Sequence, residues 1–223
     1  MADPDSRAGH TYLDPKILGF VAATHAPHDP ALDAAFQAPQ REGLPPIQVG
    51  PSEGKALQLL LTLVGARKVV EIGTLAGYSA LWMARALPSN GHLWTLERSP
   101  RHAEVARRNL ATAGVTERVT VVVGEALTAL AELEVQGPFC AVFIDADKER
   151  YDRYGRWAAQ HLRPGGLLLA DNAFFFGRLL EDSPAAVAMR RFHEQAAQDF
   201  DGVCLPTPDG LYVGIRRGRF VSA

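Results

Sequence analysis

Cysteine is scarce: Cys140 and Cys204 are the two in 223 residues, too few for a disulfide framework. Cys140 lies in the apolar run FCAVFI and reads as a buried structural thiol. Long hydrophobic runs are also missing. The longest stretch without a charged residue, Ile72 to Ala84, has 13 residues, short of the ~18 that suggest a membrane helix. The start, MADPDSRAGH, has no apolar segment behind a basic opening, so no secretory signal is expected and the chain is assigned to the cytosol. Neither sign of charge dominates. Lys plus Arg number 23 and Asp plus Glu 25, a balance of −2, whereas proteins held to nucleic acid by phosphate contacts carry a basic excess. Internal repeats and low-complexity tracts are absent as well. What is present is 47% apolar and 22% charged residues, near the globular averages of ~45–50% and ~25%. At ~100–200 residues per domain, this length holds one domain, or one with an appended element.

From residue 51 onward, short β-branched apolar runs alternate with segments of helical period, the pattern of parallel strands joined by crossover helices. The predicted strands are KVVEIG (68–73), HLWTLE (92–97), RVTVVVG (118–124), FCAVFIDA (139–146) and GLLLADN (166–172). Ser99-Pro100 opens a helix that closes on Gly114, and ERYDRYGRWAAQHL stops before Arg163-Pro164-Gly165-Gly166. A helix from Pro184 to Phe200 leads to VCLPT (203–207) and LYVGIRR (211–217), joined through Pro208-Asp209-Gly210 as a closing hairpin. The reading is an α/β fold with a mostly parallel sheet over residues 51–223. Residues 1–50 hold helical pieces such as Pro15 to Thr24 and read as an arm or cap. His25 and His28 in THAPHDP have a spacing seen in some metal sites, but read as a solvent-exposed loop pair.

In open α/β sheets ligands bind at the carboxyl ends of the strands. The first such loop is EIGTLAGYS, Glu71 to Ser79. A dinucleotide fingerprint needs GxGxxG, yet Glu71 holds the place of the first glycine, and the glycines fall at 73 and 77. A carboxylate there opposes a pyrophosphate and suits a cationic cofactor. Glu97 ends the second strand, 26 residues further on, where an acid can accept from both ribose hydroxyls. The plain alternative for Glu97 is a solvated strand-end carboxylate.

These segments resemble class I S-adenosylmethionine-dependent methyltransferases, in the form of the cation-dependent catechol and caffeoyl-CoA O-methyltransferases. The resemblance spans residues 45–217 through IQVGPSEG (47–54), EIGTLAGYS, LERSP (96–100), VVVGEAL (121–127), FIDADKERY (143–151), LRPGGLLLADN (162–172) and LPTPDGL (205–211). It implies a single Rossmann-like domain with a seven-stranded sheet, helices on both faces and an antiparallel C-terminal hairpin. It further implies that Glu71 meets the methionine end of S-adenosylmethionine directly or through water, and that the backbone at Gly73 and Thr74 lets the cofactor approach. Ser79 and the Val49 backbone would hold its carboxylate, Glu97 its ribose, and Glu125-Ala126 would flank the adenine, with Asp145 also in the pocket. A homodimer and a phenolic small-molecule acceptor are implied too.

Asp145 closes the fourth strand and Asp171-Asn172 the fifth, so all three emerge at one edge. Two carboxylates and an amide oxygen make a hard donor set for Mg²⁺, Mn²⁺ or Ca²⁺. An Asp after a strand can equally be a helix N-cap. Lys148, three residues past Asp145, is either a surface lysine or a base whose ammonium is disfavoured beside a cation. In the metal reading a vicinal-diol aromatic binds the cation, and Lys148, Asp145 and Asn172 form the catalytic set.

The family commonly continues with a Trp after the Asp-Asn pair, whereas here Ala173-Phe174-Phe175-Phe176 follow and Phe175 takes that place. It can stack on a phenolic ring or simply pack. Three other functions remain open: an NAD-binding oxidoreductase, a methyltransferase acting on a modified tRNA nucleoside through the basic Arg216, Arg217 and Arg219, and a noncatalytic partner-binding member of the fold.

Overall fold

The computed structural model describes residues 13–218. Its element order is α1 (Pro15–His25), α2 (Pro30–Glu42), α3 (Pro51–Leu63), β1 (Lys68–Ile72), α4 (Tyr78–Ala86), β2 (His92–Glu97), α5 (Pro100–Thr112), β3 (Val119–Val123), α6 (Ala126–Leu133), β4 (Phe139–Ile144), α7 (Tyr151–His161), β5 (Leu162–Ala170), α8 (Pro184–Asp199), β6 (Phe200–Leu205) and β7 (Leu211–Arg216). Among these, α1, α2, α3, α5 and α8 begin on proline, whose missing N–H costs nothing in a first turn. Asp14, Asp29, Ser99 and Ser183 cap the α1, α2, α5 and α8 N-termini with side-chain oxygens.

The strands form one seven-stranded sheet in the order β3-β2-β1-β4-β5-β7-β6. Pairing is parallel from β3 through β5, and β7 runs antiparallel to both β5 and β6. The expected sheet and hairpin are therefore present. One buried layer packs Val70, Ile72, Leu130, Tyr154 and Phe192 between the sheet and α6, α7 and α8. The other packs Val69, Leu93, Leu57, Leu61 and Leu81 against α3 and α4.

Two strand starts differ from expectation by three residues or more. The first hairpin strand is 200–205 rather than 203–207, because Pro206 and Pro208 have no N–H for the ladder while Phe200 already pairs with Arg216. β5 starts at Leu162 rather than 166, through an irregular register between Phe139 and Ala141 of β4. Within the segment expected as an arm, Ala26, Leu32, Ala35 and Val49 enter the same buried cluster as β1. Asp29 also pairs with Arg85 of α4 at 2.6 Å. No residue of α1 is buried. Cys140 and Cys204 are unpaired, and Cys140 is half-buried rather than enclosed. Among the described residues, no helix is long and apolar enough to cross a membrane.

Candidate active site

At the ends of β1, β3, β4 and β5 the first loop residue still pairs with its neighbouring strand. Gly73 N–H donates to Leu96 O (3.0 Å), Asp145 N–H to Ile72 O (2.9 Å), Asp171 N–H to Ile144 O (3.0 Å) and Gly124 N–H to Glu97 O (2.9 Å). The side chains that follow are thereby aligned at one edge. They surround a cavity of about 590 Å³, within the ~300–1,000 Å³ usual for small-molecule sites.

One half of the cavity is formed by β1 and β2. A Cβ at Gly73 would lie 1.9 Å from the Asp145 carbonyl oxygen, and its φ is +102°, so only glycine allows the two loops to meet there. Glu97 accepts from Leu75 N–H (2.9 Å) and Ser99 N–H (2.8 Å), which orients the carboxylate on the wall, with His102 Nδ1 3.6 Å away. Val49, Thr74, Ser79, Glu125 and Ala126 line the same space. Glu125 is bridged to Arg150 at 3.0 Å. Gln48, also on the wall, keeps a buried Oε1 with no hydrogen-bond partner.

Glu71 is not on the cavity wall. It is 0% exposed, beneath the loop, and accepts 2.5 Å bonds from Ser79 Oγ and Thr95 Oγ1. Burial pushes its carboxyl up to about 8 despite those two hydroxyls, with Asp145 and Glu97 adding repulsion. Ser79 lies between it and the cavity.

The other half gathers Asp145, Lys148 and Asn172 on the wall, with Asp171 buried beside them. Lys148 Nζ is 3.4 Å from Asp145 Oδ1 and donates to Tyr151 Oη at 2.8 Å. Burial holds the Lys148 ammonium below the ordinary lysine range, against the pull of Asp145, Asp171 and Asp209. Burial also raises Asp145, and it raises Asp171 to about 7 with Asp145 and Glu53 contributing. One buried and one half-buried carboxylate with raised affinity for a proton are suited to a cation.

Tyr151 was not singled out from the sequence. Its fully buried hydroxyl lies 2.8 Å from Asp171 O and 3.0 Å from Ile144 O, and so links Lys148 to the β4 and β5 ends. The signal was its three-residue spacing from Lys148, which puts both on one helical face.

Of the two readings of Phe175, packing holds: it is 6% exposed and lies in the core. The aromatic on the cavity wall is instead Phe176, 61% exposed, which the sequence does not single out. The reason is backbone: Asn172, Phe175 and Phe176 have φ of 55°, 51° and 53°, so strand alternation no longer assigns sides. Each such residue costs on the order of 1–3 kcal/mol and is retained only where surroundings impose it. His28 departs from expectation. It is not a free loop residue, since Nε2 is 2.7 Å from Tyr78 Oη and its ring meets Phe36, while His25 is exposed as expected. Of the basic cluster, Arg216 binds Ala159 O, Asp199 O and the Asp199 carboxylate, and Arg217 binds Gln198 O. Arg219 is outside the described residues.

Comparison with known proteins places the fold in a family. A catechol O-methyltransferase of Niastella koreensis is 48% identical over 170 residues, 74% of this chain and 77% of that protein. One of Mycobacterium tuberculosis is 47% identical over 179 residues, covering 79% and 81%. The crystal structure of an O-methyltransferase from Bacillus cereus in complex with SAH superposes with a TM-score of 0.87 at 36% identity, over 91% of this chain and 97% of that one. A family model for O-methyltransferase matches residues 23–217, nearly the whole described fold, and on this ground the chain belongs to the O-methyltransferase family.

Proposed function

We propose that this protein transfers the methyl group of S-adenosylmethionine to one hydroxyl of a vicinal-diol, catechol-like aromatic small molecule, with a divalent cation held by Asp145, Asp171 and Asn172. The observation that carries the reading is the junction of two half-sites in one cavity, an adenosine-type wall on Glu97 and a hard-oxygen cluster with Lys148. The relatives named catechol O-methyltransferase support it. When bound, the cofactor supplies an electrophilic methyl on a sulfonium and the cation supplies Lewis acidity toward a phenolic hydroxyl.

The chain's own residues do the rest. Glu97 accepts from the ribose hydroxyls, Ala126 and Glu125 flank the base, and the Val49 backbone and Ser79 meet the methionine carboxylate. The donors of Asp145, Asp171 and Asn172 are all oxygen, which favours Mg²⁺ over a thiophilic metal. Lys148, with its ammonium disfavoured by burial, takes the proton of the hydroxyl to be methylated. Phe176 offers an aromatic face at the acceptor side. Positioning and charge compensation carry the acceleration.

The test is a panel of vicinal diols with labelled S-adenosylmethionine, before and after EDTA and with Mg²⁺ restored. We expect activity to vanish with EDTA and in Asp171→Ala, and Lys148→Ala to lower turnover by ~10²–10⁴ with cofactor affinity near wild type. Activity that survives both EDTA and Asp171→Ala removes the metal. Unchanged turnover in Lys148→Ala removes the base.

A further inference from the structure

The β6–β7 connection, which the sequence presents as a hairpin turn, packs against the segment that follows Asn172 and carries Phe176 to the cavity wall. Three donors of the segment after Asn172 end on it: Ala173 N–H on Gly210 O (2.8 Å), Phe174 N–H on Asp209 O (2.9 Å) and Phe176 N–H on Asp209 Oδ1 (2.8 Å). Gly210, at φ +78°, has the Phe174 ring 2.8–2.9 Å from where a Cβ would stand, so the two segments are in direct contact. After a left-handed Asn172, the clamped segment holds the left-handed residues Phe175 and Phe176, which local preference does not favour. Asp209 Oδ2 is buried and has no hydrogen-bond partner. Its carboxylate is also near enough to act on Lys148 electrostatically.

We propose that Asp209 is a positioning residue: by fixing Phe176 N–H it imposes the left-handed path from Asn172 to Phe176, and so sets the amide of Asn172 and the ring of Phe176 for the acceptor. The inference rests on the proposed methyl transfer for its kinetic consequence, but not for its structural one. The Asp209 carboxylate has two separable properties, where its acceptor oxygen lies and that it is charged. Asp209→Asn retains an acceptor oxygen at the same reach and loses the charge. Asp209→Glu retains the charge and moves the acceptor out by one methylene. Positioning predicts that the first variant works and the second does not; a charge effect on Lys148 predicts the reverse.

Both variants are to be measured beside wild type for kcat and acceptor KM with a catechol, for S-adenosylmethionine affinity by calorimetry, and for amide exchange of residues 173–176 by mass spectrometry. We expect Asp209→Asn within about threefold of wild type in every readout. We expect Asp209→Glu to lose at least about tenfold in kcat, to raise acceptor KM, to exchange at least about tenfold faster at residues 173–176, and to bind cofactor within about twofold. Asp209→Glu indistinguishable from wild type, or Asp209→Asn as impaired as Asp209→Glu, overturns the proposal. A wild type that methylates no diol defeats the functional reading alone, because amide exchange still judges the clamp.

Discussion

Glu71 is fully enclosed, and its carboxylate is held by the hydroxyls of Ser79 and Thr95. An acid ending an apolar strand marks a loop that is not built for pyrophosphate, and that was readable. Its place beneath Ser79 and Thr95 was not, because both partners come from other elements. The consequence is a carboxyl at about 8 in the fold against an ordinary 4.5. A raised folded pKa means that its contribution to stability is complete below about 4.5 and is lost as pH rises through about 8. Glu71→Gln cannot ionise and escapes that loss. Thermal melts of the ligand-free protein at pH 5, 7 and 9 are expected to show the variant gaining on wild type as pH rises; parallel pH profiles would show that Glu71 does not ionise in this range. Phe175 and Phe176 make the same point in apolar terms. The sequence leaves Phe175 free to stack or to pack; the period of two that would assign sides fails in left-handed backbone, so Phe175 packs and the neighbouring ring faces the cavity.

At the level of elements, strand centres were readable and strand ends were not. β1, β4 and β5 are buried on both faces, so they appear as near-continuous apolar runs that no helix period explains. Their ends depend on which neighbour still offers a carbonyl, as Asp145 and Asp171 do by pairing one residue beyond the strand. The site is sensitive to this contact between loops. Gly73→Ala places a methyl against the Asp145 carbonyl at a φ that alanine disfavours. We expect a loss on the order of 3 kcal/mol, which for a chain of this size lowers Tm by ~6–12 °C. A melt within about 2 °C of wild type would mean that the loops separate without cost.

For the molecule as a whole, the near-neutral balance of 23 basic and 25 acidic residues conceals an uneven arrangement. Glu97, Asp145 and Asp171 share one sheet edge, with Arg98, Lys148 and Arg150 also on the cavity wall. S-adenosylmethionine at ~100 times its Kd is expected to stabilise the fold by ~2.7 kcal/mol, a Tm rise of ~5–11 °C, with no rise from NAD. A rise with NAD and none with S-adenosylmethionine would restore the oxidoreductase reading. The basic residues read as a possible RNA contact are instead committed to the fold at Arg216, which binds the end of α7 and Asp199. The order of strands has one more consequence, in the time domain of synthesis. β6 pairs with β7 alone, and β7 occupies the place between β5 and β6. During translation β6 therefore emerges without a partner and must wait for β7, which then joins both neighbours at once. The turn that carries Asp209 emerges with it, so a nascent chain can assemble its central parallel sheet before its acceptor side takes shape.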